Sequence, residues 1–174
     1  EAGLPDGALN VVTGLGEEAG AALTAHPDIN FVTFTGSPEV GRMVQKAAGE
    51  RLIKCVLELG GKSPQIVFAD ADLDAALPFL VNAGIQNCGQ TCSAASRILV
   101  ERPVFDEVVT RMAARYRGLR VGPALDDPEV GPLISARQRD LVAGYLDVVA
   151  TSGLRIVAQA PLPATLPRDG CYVP

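Results

Sequence analysis

Apolar segments of strand length alternate with helical segments over the first 60 residues, and the connections between them are short. Residues 9–12, 29–34 and 53–57 are predicted as strands, and residues 17–26 and 38–48 as helices. A strand, a helix and a further strand with short connections favour parallel pairing with a right-handed crossover. The sequence therefore predicts an α/β fold that begins with part of a parallel sheet of the nucleotide-binding type.

Two adjacent glycines, Gly60 and Gly61, interrupt this pattern and predict a domain boundary. A second α/β pattern follows, in which residues 118–132 and the Pro-rich tail are predicted to be irregular. Its predicted strands are residues 65–68, 97–101 and 154–158, and its predicted helices are residues 73–85, 103–117 and 136–150. Ser37 and Ser135 are predicted to cap helices, because their hydroxyls can accept hydrogen bonds from free amides.

The charge and cysteine pattern excludes several classes of function. Fifteen Lys and Arg face twenty Asp and Glu, and no basic run offers a surface for nucleic acid. No apolar run approaches the roughly 20 residues that span a bilayer, and no signal-like start is present, so we expect no membrane partner and a cytoplasmic location. Four cysteines without framework spacing and the single His26 predict no disulfide scaffold and no metal site.

Two glycine turns in the first part are candidates for binding a cofactor. The turn at residues 35–41 follows a strand and opens a helix, so an anion could bind the free amides beside Ser37; an ordinary strand-to-helix turn is the alternative. The cluster at residues 14–20 is one residue too long for the G-x-G-x-x-G pattern. Because Glu17 and Glu18 at its helix start would repel a pyrophosphate, a turn with tight packing is the favoured interpretation there.

Residues 87–92 (Asn-Cys-Gly-Gln-Thr-Cys) form a small glycine-hinged loop around Cys92, as a thiolate that attacks a carbonyl requires. Glu58 ends a predicted strand beside two glycines, where partial desolvation would raise its basicity. Taken alone, Cys92 could be a small buried hydrophobe and Glu58 a capping or ion-pairing acid.

Three motifs in this order, residues 34–37 (Phe-Thr-Gly-Ser), 58–64 (Glu-Leu-Gly-Gly-Lys-Ser-Pro) and 87–92, resemble the aldehyde dehydrogenase superfamily. The resemblance covers the whole chain. It implies that Cys92 is the nucleophile that forms a thiohemiacetal and then a thioester, and that Glu58 is the base that activates water for hydrolysis. The cofactor implied is NAD or NADP, and the sequence does not decide between them. The residues implied to bind it are Gly14, Gly36, Ser37, Val40, Gly41, Leu59 and Gly60.

The resemblance also implies the organisation of the protein. Residues 1–59 would be the C-terminal part of a Rossmann-like NAD(P)-binding domain, and residues 60–174 the N-terminal part of the α/β catalytic domain. In the family, a second oxyanion donor and a glutamate that holds the nicotinamide ribose lie outside residues 1–174. We therefore expect an internal segment of a longer enzyme, inactive by itself and homo-oligomeric at full length.

The expected activity is oxidation of a small-molecule aldehyde to a carboxylic acid. The alternatives are a CoA-acylating aldehyde dehydrogenase, which commonly lacks the glutamate, and a phosphate-dependent relative that reduces acyl phosphates. A truncated, non-catalytic chain that binds nucleotide or partner subunits is the alternative from another class. The sequence does not identify the aldehyde.

Overall fold

The computed structural model describes residues 3–174. The chain divides into two compact units, Glu1–Gly60 and Gly61–Pro174. Each unit contains one pair of parallel strands, and helices accompany both pairs. The α/β class expected from the sequence is confirmed, whereas the assignment of the two parts to cofactor and catalytic domains stays a prediction.

In the first unit, strands β1 (Phe31–Gly36) and β2 (Lys54–Leu59) pair in parallel, with Gly36 opposite Leu59. Parallel strands require a long crossover connection, and helix α2 (Pro38–Glu50) supplies it. This helix begins at Pro38 because the Ser37 hydroxyl oxygen accepts a hydrogen bond from the Val40 N–H at 3.2 Å. The capping role predicted for Ser37 is confirmed, and the carboxyl ends of both strands lie side by side.

Two features hold the crossover helix in place. Val44 and Ala48 are buried on the inner face of α2, and Gly41 is buried against Leu59, whose Cδ2 would lie 2.7 Å from a Cβ at that position. The Arg51 guanidinium donates hydrogen bonds to the carbonyl oxygens of Thr24, Pro27 and Ile29. Arg51 therefore anchors the end of α2 to the segment that leads into β1.

The structure corrects the sequence prediction at the start of this unit. Residues 9–12, predicted as a strand, form none, and Leu9, Val11 and Val12 are 73 to 80% exposed. A strand needs a hydrogen-bonded neighbour, and the ladder of this unit joins β1 only to β2. The helix predicted over residues 17–26 is a π-helical turn (Gly16–Gly20) that continues as the short helix α1 (Ala21–Ala25).

In the second unit, strands β3 (Pro64–Val67) and β4 (Arg97–Val100) pair in parallel. Helix α3 (Leu73–Ile85) lies between them in the sequence and begins where Asp72 Oδ1 accepts hydrogen bonds from two backbone amides at 3.1 Å. A 3-10 turn (Gln86–Gly89) follows α3. After β4 come, in chain order, a 3-10 turn (Arg102–Val104), helix α4 (Phe105–Arg117), a 3-10 turn (Ala124–Asp126) and helix α5 (Ala136–Thr151).

Helix α3 contributes to both apolar clusters of this unit. Leu80 packs with Val67 and Val108, so that it joins the sheet to α4. Val81 forms the second cluster with residues that follow α4, namely Leu119, Val121 and Ala160. Leu80 and Val81 are adjacent in the sequence but are buried in different clusters. Together the two clusters fix the position of α3, and therefore the start of the loop that follows it.

Most elements of the second unit agree with the sequence prediction. Helix α3 has the predicted ends, and Ser135 caps α5 by accepting a hydrogen bond from the Gln138 N–H at 3.2 Å. The strand predicted at residues 154–158 is wrong: this segment is irregular, with Leu154 65% exposed. Within the described residues, no strand pairs with this apolar segment. No helix in residues 3–174 combines the length and apolar character needed to cross a membrane.

Replacement of Val81 by Ala should destabilise the fold, because its side chain is fully buried in the cluster that joins α3 to residues following α4. We expect the free energy of unfolding of the full-length protein to fall by about 2 to 3 kcal/mol, from lost burial and the cavity left behind. Chemical denaturation measures this change. Val148→Ala in α5, at a side chain that is 56% exposed, is the matched control and should change stability by less than about 0.5 kcal/mol.

Candidate active site

The loop that carries Cys92 leaves the end of α3 through a left-handed turn. The 3-10 turn Gln86–Gly89 contains three successive residues with positive φ: Asn87 at 50°, Cys88 at 58° and Gly89 at 75°. Only glycine enters this region without steric cost, so the conformations of Asn87 and Cys88 must be held by their surroundings. This turn redirects the chain from α3 towards the cysteine and then β4.

Hydrogen bonds within the loop fix its shape. The Asn87 carbonyl oxygen accepts from both the backbone N–H and the side-chain Nε2 of Gln90, at 3.0 and 3.1 Å. The Asn87 side chain donates in return to the Gln90 carbonyl oxygen at 3.3 Å. The Thr91 hydroxyl donates to the Gln86 carbonyl at 3.3 Å. Asn87 and Gln90 therefore brace each other across the turn.

The loop is also bound to the segment at residues 131–134, which we call the buttress. The Cys88 thiol donates to the Gly131 carbonyl oxygen at 3.2 Å, and the Ile134 N–H donates to Gln90 Oε1 at 3.0 Å. The Leu133 N–H in turn donates to the Cys171 carbonyl oxygen at 2.8 Å. The buttress thus connects the loop to the C-terminal part of the chain.

An ion pair holds Glu129, which lies two residues before the buttress. The Glu129 carboxylate accepts hydrogen bonds from the Arg115 guanidinium and, at 3.1 Å, from the Arg120 N–H. The hydrogen bond from Arg115 is the main reason that the pKa of Glu129 is lower than usual. Because Arg115 lies in α4, this ion pair ties the buttress to the helix that packs on α3.

Cys92 is exposed, which argues against the alternative that it is a small buried hydrophobe. The residues that follow Cys92 are packed against the protein. The Ala95 N–H donates to the Ala83 carbonyl oxygen of α3 at 3.0 Å, and the Ala94 and Ala95 side chains are buried. Gly61 lies close: a Cβ there would be 3.5 Å from the Cys92 carbonyl oxygen. The thiol is accessible while its main chain is fixed.

In the first unit, the predicted site residues other than Gly14 gather at the carboxyl ends of β1 and β2 and at the start of α2. Glu58 lies opposite Thr35 in the ladder, and Gly36 lies opposite Leu59. Glu58 is exposed, so the desolvation expected for it is not present in this chain.

The residues at the start of α2 are exposed. Gly36 and Ser37 are exposed beside the first amides of this 13-residue helix, and Val40 is 42% exposed on its first turn. Pro38 has no N–H, and the Val40 and Gly41 N–H groups donate to Ser37. Within the described residues, Glu39 therefore supplies the free N–H of this turn, beside the exposed Ser37 hydroxyl and the apolar Val40 side chain. Gly41 differs from these residues, since it is buried against Leu59 and supports packing.

Gly14 and Gly60 have less specific surroundings. A Cβ at Gly14 would lie 2.9 Å from the Ala19 Cβ, which indicates a packing reason for this glycine. A Cβ at Gly60 would meet nothing within 4 Å. Within residues 3–174 no cluster of three or more His, Cys, Asp or Glu side chains is arranged to hold a metal ion.

The comparisons with known proteins agree on one family. The model of the aldehyde dehydrogenase family matches residues 1–174. An aldehyde dehydrogenase of Alternaria alternata is 50% identical over 159 residues, which cover 90% of this chain and 32% of the relative. A 2-hydroxymuconic semialdehyde dehydrogenase of Pseudomonas putida is 42% identical over 165 residues, which cover 93% of this chain and 34% of the relative. The chain belongs to the aldehyde dehydrogenase family.

A solved structure supports the same conclusion. Betaine aldehyde dehydrogenase of Staphylococcus aureus in complex with NAD⁺ has a TM-score of 0.88 and 36% sequence identity, covering 98% of this chain and 34% of that protein. The chain spans about a third of the length of the curated relatives it matches. The resemblance predicted from the three motifs is therefore confirmed.

Gly89→Ala should destabilise the cysteine loop, because an alanine at a φ of +75° is strained. We expect a loss of about 1 to 2 kcal/mol in the free energy of unfolding of the full-length protein. Gly144→Ala is the matched control, because this glycine lies inside α5 with nothing within 4 Å of a Cβ. This substitution should raise the free energy of unfolding by about 0.5 to 1 kcal/mol. Equal effects of the two substitutions in denaturation experiments would contradict the left-handed turn.

Proposed function

We propose that this chain carries the nucleophile and the base of an NAD(P)-dependent dehydrogenase that oxidises an aldehyde to a carboxylic acid. The observation that carries the proposal is the exposed Cys92 on a loop whose main chain is fixed by hydrogen bonds at both ends. Family membership and the NAD⁺ complexes of its structural relatives support it.

Cys92 begins the reaction as a thiolate. Its sulfur adds to the aldehyde carbon, a C–S bond forms, and the carbonyl electron pair moves to oxygen. Within the described residues the backbone N–H of Cys92 takes no part in the hydrogen bonds of the loop. It is therefore available to donate to the oxyanion, an interaction typically worth about 3 kcal/mol in the transition state.

Gly36, Ser37 and Val40 are the residues we propose to hold the dinucleotide, through the exposed Ser37 hydroxyl, the N–H of Glu39 and the exposed apolar side chain of Val40 at the start of α2. When bound, the nicotinamide supplies the two-electron acceptor that converts the thiohemiacetal into a thioester. We infer further contacts from Gly14, Leu59 and Gly60 on the family resemblance alone, whereas Gly41 supports the packing of α2 on β2.

Glu58 acts in the second half of the reaction. It takes a proton from water, the resulting hydroxide adds to the thioester carbon, and the C–S bond breaks to return Cys92 as a thiolate. The products are the carboxylic acid and the reduced cofactor. The exposure of Glu58 at the end of β2 supports this role, because the base must reach water.

Release of the thioester to CoA or phosphate is the enzymatic alternative, and a chain that binds nucleotide without turnover is the other. Glu58 favours hydrolysis over both acyl-transfer routes, since a thiol or phosphate acceptor has no need of a base that activates water. We place the cofactor function in residues 1–59 and the nucleophile in residues 60–174, and we expect a homo-oligomer. The relatives act on chemically different aldehydes by name, so the substrate is defined here only as an aldehyde.

Cys92→Ala in the full-length protein should abolish aldehyde oxidation, because the substitution removes the sulfur that forms the thiohemiacetal. We expect less than about a thousandth of the parent kcat/KM, with binding of the dinucleotide unchanged. Cofactor reduction followed by absorbance measures the first effect, and a titration of intrinsic fluorescence the second. Cys171→Ala is the control and should retain the parent rate; a Cys92→Ala protein that oxidises aldehydes as fast as this control would refute the proposal.

Glu58→Gln should separate the two halves of the reaction, because the amide keeps the shape of the side chain and removes the base. Rapid mixing with aldehyde and cofactor should give one equivalent of reduced cofactor per site, followed by a stalled thioester that mass spectrometry detects on Cys92. The exposed Glu50, at the end of α2, provides the control Glu50→Gln, which should turn over normally. Steady turnover of Glu58→Gln at the parent rate would favour the acyl-transfer alternatives.

A further inference from the structure

One side chain connects the cysteine loop to the buttress through both ends of its amide. Gln90 Nε2 donates to the Asn87 carbonyl oxygen at 3.1 Å, and Gln90 Oε1 accepts from the Ile134 N–H at 3.0 Å. Gln90 is partly buried and lies two residues before Cys92. Its carboxamide therefore spans the gap between the loop and a segment that is 44 residues away in the sequence.

The conformation that Gln90 holds does not form by itself. Asn87 and Cys88 both have positive φ, and a residue other than glycine in that region costs about 1 to 2 kcal/mol. Such residues persist only where neighbouring contacts determine the backbone. The Asn87 carbonyl oxygen receives two of those contacts, and both come from Gln90.

The other direct connection between the loop and the buttress is weaker. The Cys88 thiol lies 3.2 Å from the Gly131 carbonyl oxygen and 3.6 Å from the Pro132 carbonyl oxygen, so its one hydrogen is shared between them. A thiol is also a poor donor compared with an amide. An amide that acts both as donor and as acceptor also fixes direction, since each of its ends accepts only one kind of partner. The Gln90 bridge is therefore the contact that determines the position of the loop relative to the buttress.

We propose that Gln90 is a positioning residue for Cys92: its carboxamide, bridging the Asn87 carbonyl oxygen and the Ile134 N–H, holds the loop in the left-handed form that presents the thiol. This inference deepens the proposed function and rests on it for the reaction concerned. The geometry assigns no contact between Gln90 and the substrate. Its effect on the reaction passes through the main chain between residues 90 and 92.

Gln90→Met tests the bridge, because methionine has a similar length and neither donates nor accepts these two hydrogen bonds. In the full-length protein we expect kcat/KM for aldehyde oxidation to fall about 10- to 100-fold, as small displacements of a reacting group do. The dissociation constant of the dinucleotide should stay within about twofold, since the change lies outside the start of α2. Gln138 lines the same cleft as Gln90, and Gln138→Met is the matched control that should stay within about threefold of the parent.

Gln90→Glu provides a reversible version of the same test. The ionised carboxylate can still accept from the Ile134 N–H, but it repels the Asn87 carbonyl oxygen; once protonated, it donates to that oxygen and restores the bridge. The ratio of variant to parent kcat/KM should therefore rise at least about fivefold between about pH 8 and pH 5.5. Among the residues of the loop, the buttress and α5 that line this cleft, Cys88 has the ionisable side chain, and it is present in both proteins.

A readout without aldehyde keeps this inference separate from the proposed function. Iodoacetamide alkylates Cys92 at a rate that depends on how the loop presents the thiol, and peptide mass spectrometry measures that rate. We expect a change of at least about threefold in Gln90→Met and none in Gln138→Met. If the parent protein does not oxidise aldehydes, the proposed function is refuted. The alkylation rates still test the Gln90 bridge in that case.

Two outcomes would overturn the positioning role. One is a Gln90→Met protein with the kcat/KM and the alkylation rate of the Gln138→Met control. The other is a Gln90→Glu protein whose activity relative to the parent is the same at every pH, because the hydrogen bond to the Asn87 carbonyl oxygen can form only when the introduced carboxyl is protonated.

Discussion

Parallel strand pairing is the constraint on which both units depend. Two parallel strands cannot be joined by a hairpin, so the chain must return through a crossover, which α2 supplies between β1 and β2. The same requirement places α3 and the cysteine loop between β3 and β4. In each unit the carboxyl ends of the paired strands lie together, and the candidate cofactor residues occupy that edge in the first unit.

The cysteine loop is shaped by contacts that reach beyond its neighbours in the sequence. Helix α3 fixes one end through its two apolar clusters, and the buttress fixes the other through Cys88 and Gln90. Glu129 and Arg115 in turn join the buttress to α4. The exposed thiol thus rests on a rigid support, as precise placement of a reacting group requires.

The sequence predicts those features that local chemistry determines. Ser37 and Ser135 mark helix starts, and the apolar strands of both parallel pairs lie within a residue or two of their predicted ends. Residues 9–12 and 154–158 have equally suitable composition, yet neither is a strand, because strand formation depends on a partner that composition does not reveal. The sequence does not predict the buttress for a similar reason, since nothing in its own residues indicates a contact with Gln90.

The distance in sequence between Gln90 and Ile134 has a consequence for the order in which the protein folds. Closing a flexible segment of 44 residues costs about 3 kcal/mol of chain entropy, which the intervening helix α4 lowers as it forms. Helix α4, which packs on α3, shortens the flexible part of this segment. During synthesis, the segment that carries Cys92 leaves the ribosome before Ile134 does. The hydrogen bond between Gln90 and Ile134 can form only once both segments have emerged, so the braced form of the cysteine loop depends on synthesis of the second unit having passed Ile134.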